Sequence, residues 1–135
     1  MVYCIFGESC TGKSTLAEEI SKKTGAVVYT GRDYLRLAKN EDSAKAAFCA
    51  LLSAPDAAIV FVITENEQLS LLPDDAVKIL MTADLDLIKE RFALRVGGTL
   101  PPSVEKMLEA KHGSFDALPH DHLVHNGVWN ELELL

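Results

Sequence analysis

The stretch Val2-Tyr3-Cys4-Ile5-Phe6-Gly7-Glu8-Ser9-Cys10-Thr11-Gly12-Lys13-Ser14-Thr15-Leu16-Ala17 decides the reading of this chain. Val2 to Phe6 is apolar and ends at a glycine, the pattern of a short buried strand. From Lys13 to Lys23 the apolar positions Leu16, Ala17 and Ile20 recur at helical spacing, and Gly25 stops the run. Between strand and helix stands Gly-x-x-x-x-Gly-Lys-Ser, residues 7 to 14. Strand, glycine loop and helix in that order make a phosphate-binding loop, or P-loop. Gly7 and Gly12 permit backbone angles and close approaches that a side chain would block. The backbone N–H groups of Ser9, Cys10, Thr11, Gly12, Lys13 and Ser14 are expected to cradle a phosphate, aided by the positive end of the helix. Lys13 is expected to neutralise the β- and γ-phosphate oxygens of ATP, Ser14 to coordinate Mg²⁺, and Thr15 to contact the α-phosphate.

Working outward, strands alternate with helices to the end of the chain. Ala26 to Tyr29 reads as a second strand, and Thr30-Gly31-Arg32-Asp33 as a polar turn. Tyr34 to Leu52 is helical in pattern, with a break near Asn40 to Ser43. Ala57 to Thr64 is β-branched and apolar, the clearest strand. A short helical piece follows at Glu67 to Leu72. Val77 to Thr82 is a fourth strand, and Asp84 is placed to cap a helix reaching about Val96. After a Gly/Pro loop come a helix at Ser103 to Lys111, a strand at His122 to His125 and an Asn126-Gly127 turn. This alternation predicts an α/β fold, a three-layer α/β/α sandwich around a five-stranded, parallel, doubly wound sheet of the P-loop NTPase type. No repeat or linker divides it, so residues 1–135 are expected to form one domain.

Composition agrees with a globular protein. Hydrophobic residues make up 48% and charged residues 24% of the chain. Acidic residues outnumber basic ones by 20 to 13, a formal charge of -7, which opposes general nucleic-acid binding but not a small anion held by a local nest of N–H groups. The longest apolar run, Ala57 to Ile63, is too short to span a bilayer. With three cysteines in no zinc spacing and no secretory signal pattern, the expectation is a reduced, cytoplasmic protein acting without membrane or nucleic acid.

Several stretches resemble the small P-loop kinases: the nucleoside monophosphate kinases, with shikimate and gluconate kinases as near relatives. Residues 7 to 17 carry the most specific likeness. Tyr29 to Arg36 resembles the Thr-Gly-Asp-x-Leu-Arg turn of adenylate kinases with one residue inserted. Val77 to Arg95 is similar to the strand and arginine-bearing helix before the lid, and His122 to Gly127 to the last strand and adenine-side turn. The resemblance implies transfer of the γ-phosphoryl group of ATP to a small acceptor, a nucleoside monophosphate first, a non-nucleotide metabolite as the alternative. A nucleotide-binding regulatory module without transfer activity is a third reading.

By the same resemblance Arg91 and Arg95 would clamp transferring phosphates or cover the adenine, although arginines at i and i+4 also suit a solvated helix face. Asn126 and Gly127 would lie near the adenine or form an ordinary turn. Thr30, Arg32 and Arg36 would hold an acceptor phosphate, since arginine matches phosphate bidentately. Asp33 would orient or deprotonate an acceptor hydroxyl, cap the following helix, or do both. The lid is reduced to Gly97 to Ser103, and Lys106 stands where the family often has an arginine. Glu65 is either a carboxylate held to Mg²⁺ through water or a solvated strand end. Cys10 is either an activated thiol at a helix N-terminus or a small residue filling the loop. His120, Asp121, His122 and His125 invite a metal reading, but no further ligands follow and a closing strand fits better. The apolar tail Trp129 to Leu135 is expected to pack on the sheet or on a neighbouring chain.

Overall fold

Val2–Gly7 is buried at every position because it forms the central strand, β1, of a sheet covered on both faces. The structure, a computed structural model, describes residues 1–63 and 65–128. After β1 come α1 (Lys13–Thr24), β2 (Val27–Thr30), a 3-10 turn at Asp33–Leu37, α2 (Glu41–Ser53), β3 (Ile59–Ile63), a second 3-10 turn at Asn66–Leu71, and β4 (Val77–Thr82). Then follow α3 (Leu85–Arg95), α4 (Pro102–Lys111) and β5 (His122–His125). The strand order is β2-β3-β1-β4-β5 and every pairing is parallel. This is the doubly wound three-layer α/β/α fold, with the direction of winding changing beside β1.

The strand period of two divides the core. Tyr3, Ile5, Val60, Val62, Ile79 and Met81 face one way and meet Leu16, Ala17 and Ile20 of α1. Cys4, Phe6, Phe61, Ile63 and Leu80 face the other way and meet Ala44, Phe48 and Leu52 of α2, with Tyr34 and Phe115. A smaller cluster joins Cys10 and Ala83 to Ile88 of α3 and Leu108 of α4, seating that helix pair against the glycine loop.

The interrupted helix expected from Tyr34 to Leu52 is two elements. Asn40 separates them: its backbone is extended and its Oδ1 accepts the N–H of Ser43 at 2.8 Å, starting α2 afresh. Pairing in the third strand begins at Ile59 rather than Ala57, because the Ala57 N–H closes a turn onto the Ala54 carbonyl at 3.0 Å. Two expected caps differ in role. Asp84 is the residue before α3, but its side chain makes no cap bond and instead meets Asn126 and His125. The Asp33 carboxylate does not cap the turn it begins; it reaches back and accepts the N–H of Thr30 at 3.0 Å. The tail Trp129 to Leu135 lies outside the described residues. Among the described residues no helix is long and apolar enough to cross a membrane.

Candidate nucleotide and acceptor site

The end of β1 cannot carry a side chain. A Cβ on Gly7 would lie 2.1 Å from the backbone oxygen of Met81 on the neighbouring strand, and φ there is +148°. Gly7 therefore lets the chain leave the sheet flush against β4. The loop then turns back through left-handed conformations at Cys10 (φ 63°) and Gly12 (φ 94°), the latter immediately before α1. Thr11 is fully buried, and its hydroxyl donates to the Glu8 carbonyl at 2.9 Å, bracing the turn. Cys10 is also buried, so its thiol lacks the exposure that the reactive reading requires.

Lys13 folds inward. Its ammonium donates to the carbonyls of Gly7 at 2.8 Å and Glu8 at 2.5 Å. Burial pushes its pKa down to about 8; the neighbouring Cys10 and Glu8 pull it up and the Arg95 charge pushes it further down. Arg91 donates from Nη1 to the Cys10 carbonyl at 2.9 Å, so α3 grips the loop from above. Ser9, Ser14 and Thr15 are exposed at the loop and the first turn of α1. This donor set fits a polyphosphate: a helix N-terminus, a loop turned by positive-φ residues, an ammonium that can exchange two carbonyls for phosphate oxygens, and an exposed hydroxyl beside it for Mg²⁺.

The loop opens on a cavity of about 360 Å³. Its walls include Ser9 and Lys13 on the loop side, Glu65 and Glu67 after β3, and Lys111 and Phe115 across from them. Of the residues singled out in the sequence, Gly7, Ser9, Lys13 and Glu65 border this cleft. Glu8, Glu67 and Lys111 border it too, and local pattern did not single them out. Lys111 ends a helix, where a lysine reads as a partner for the helix dipole, and it is this end rather than Lys106 that reaches the cleft.

The remaining candidates lie to either side. Thr30 ends β2, and Arg32, Asp33 and Arg36 follow it in the turn beyond, two strand spacings or roughly 10 Å from β1. None of the four is among the cleft's lining residues. Arg32 is exposed, with its guanidinium 3.9 Å from Glu41. On the opposite side, Asn126 (φ 53°) and Gly127 turn the chain after β5. Asn126 Oδ1 accepts the Asp84 N–H at 3.0 Å and its Nδ2 donates to Asp84 Oδ2 at 3.1 Å. That bond, and then His125, hold the Asp84 carboxyl below its ordinary range. His125 bridges Asp84 Oδ1 at 3.2 Å and Thr82 Oγ1 at 2.8 Å. Among the described residues no three His, Cys, Asp or Glu side chains are grouped to hold a metal ion.

The sequence matches no protein-family model and no curated protein. Its fold matches solved structures. The YorR protein of Bacillus subtilis, in complex with phosphorylated GDP, superposes with a TM-score of 0.63 at 18% identity, over 99% of this chain and 91% of that one. A sugar kinase from a Janibacter species gives 0.60 at 16% identity, over 98% and 89%. A gluconokinase from Sinorhizobium meliloti gives 0.59 at 16% identity, over 94% and 83%. The chain therefore has the fold of the small P-loop kinases, as the resemblance in its sequence implied.

Proposed function

We propose that residues 1–135 form one phosphotransferase domain that binds ATP with Mg²⁺ and moves the γ-phosphoryl group to a small acceptor. The observation that carries this reading is the Lys13 ammonium, held on two loop carbonyls at the edge of a cavity large enough for a small molecule. Ser14, at the first turn of α1, would hold the metal, which spreads the charge of the phosphates. Lys13 follows the γ-phosphoryl oxygens, and Arg91 and Arg95 on α3 add positive charge above the loop. By the resemblance to the nucleoside monophosphate kinases, Asn126 and Gly127, which turn the chain after β5, would border the base.

The cleft supports a hydroxyl-bearing metabolite as acceptor. Its walls offer Glu65 and Glu67, which accept hydrogen bonds from hydroxyls, and Lys111 for one anionic group. In such a site the acceptor oxygen bonds to the γ-phosphorus, its proton passes to a carboxylate, and ADP leaves. A nucleoside monophosphate is the second reading, favoured by the exposed Arg32 and Arg36 beside Thr30 and Asp33 at the end of β2. ADP release measured across sugar acids, other polyols and nucleoside monophosphates tests these readings. Turnover on a polyol supports the first and turnover on a monophosphate the second. ATP binding without turnover on any acceptor favours a regulatory module. Lys13→Ala should lower turnover by at least about a hundredfold; wild-type rates in that variant would refute the assignment.

A further inference from the structure

Glu8 holds the first free position of the phosphate loop, yet only 9% of it is exposed. A carboxylate so buried is costly unless its oxygens are bonded. Both are bonded to one distant turn: Oε1 lies 3.2 Å from His112 Nδ1, and Oε2 accepts the N–H of Gly113 at 3.1 Å. The backbone carbonyl of the same residue accepts from Lys13 Nζ at 2.5 Å and from Thr11 Oγ1 at 2.9 Å. Glu8 thus holds the loop's lysine with its main chain and the end of α4 with its side chain. It also borders both the acceptor cleft and a second cavity of about 300 Å³ beside Thr82, Asp84 and His125. Gly113 has φ +79°, so the turn that presents its N–H is one a side chain would strain. Lys111, on the cleft wall, lies two residues before it.

We propose that Glu8 is a positioning residue that couples the phosphate loop to the acceptor wall. When Lys13 leaves the Glu8 carbonyl for a triphosphate, the contact of Glu8 with His112 and Gly113 readjusts and resets Lys111 in the cleft. The proposal rests on the nucleotide reading of the loop. Its reciprocal consequence is that a ligand engaging Lys111 alters affinity for the nucleotide by the same factor.

The test follows the ¹⁵N-labelled full chain by NMR and hydrogen exchange, with and without Mg·ATP, while calorimetry reports nucleotide binding. In the wild type, Mg·ATP is expected to shift the Gly113 amide and His112 ring resonances and to change amide exchange across residues 111–116 by about fivefold or more. Glu8→Ala loses the protection of the Gly113 amide and its response to Mg·ATP. Glu8→Gln, which keeps one acceptor oxygen, restores part of both. His112→Ala leaves the loop sequence intact and weakens the response. The proposal is overturned if the wild type binds Mg·ATP while Gly113 and His112 stay unchanged. It is equally overturned if Glu8→Ala, or His112→Ala should the former fail to fold, responds as the wild type does. Absence of nucleotide binding by the wild type overturns the nucleotide reading together with this one, and calorimetry separates that case from the others.

Discussion

On the proposed reading Lys13 is the cation the loop offers to phosphate, and it is also a group the fold keeps partly out of water. Burial lowers its pKa to about 8, so the free protein sheds that proton well below the ordinary lysine range. Bound phosphates favour the charged form and raise the pKa again. Above about pH 8, then, the complex holds a proton that the free protein lacks, and binding must take one up. ATP affinity should be level up to about pH 8 and then fall, approaching tenfold per pH unit until the pKa of the complex is reached. Calorimetric affinities between about pH 7.5 and about 9.5 check this, with Lys13→Arg as the control whose guanidinium stays charged. A level wild-type profile beside a level Lys13→Arg profile would contradict the prediction.

At the scale of the element, α2 docks on the sheet through Phe48, together with Ala44 and Leu52. Phe48 is fully buried; it stacks on Tyr34 of the first 3-10 turn with ring centres 5.3 Å apart, meets Phe61 of β3 edge-on at 4.9 Å and lies 5.0 Å from the ring of Tyr29 on β2. Phe48→Ala should cost about 3–5 kcal/mol, read as a lower urea midpoint, because the rings around it belong to three different elements and cannot all collapse inward. Most elements were legible because their signals are local. The apolar runs of β1 and β3, the spacing of Leu16, Ala17 and Ile20, and the glycine loop each declare themselves within a few residues. Local signals also misled where side chains had a choice of partner. An aspartate before a helix reads as a cap, yet Asp84 bonds to Asn126 and His125, and Asp33 turns back to Thr30. Nothing local singles out Glu8, because its partners lie more than a hundred positions along the chain. Lys111 enters the cleft only because α4 stops there and the chain turns under the phosphate loop.

At the scale of the whole molecule, the proposed function requires a chain of net charge -7 to attract a polyanion with local groups alone. The helix N-terminus, the inward loop and Lys13 would supply that attraction over a few ångströms, inside the range that salt screens least. The fold does not name the acceptor, since structures sharing it at 16–18% identity include a sugar kinase and a protein holding phosphorylated GDP. It does predict how binding feeds back on stability. The loop lies between β1 and α1 and is gripped by Arg91 of α3 and by the turn after α4, so a ligand there is bound by the folded chain and not by the unfolded one. Mg·ATP at a hundred times its dissociation constant should add about 2.7 kcal/mol, or roughly 10 °C in melting temperature for a chain of this size. Calorimetry of the wild type and of Lys13→Ala measures it. The variant should melt at one temperature with or without nucleotide, and an equal rise in both proteins would place the nucleotide elsewhere than the loop.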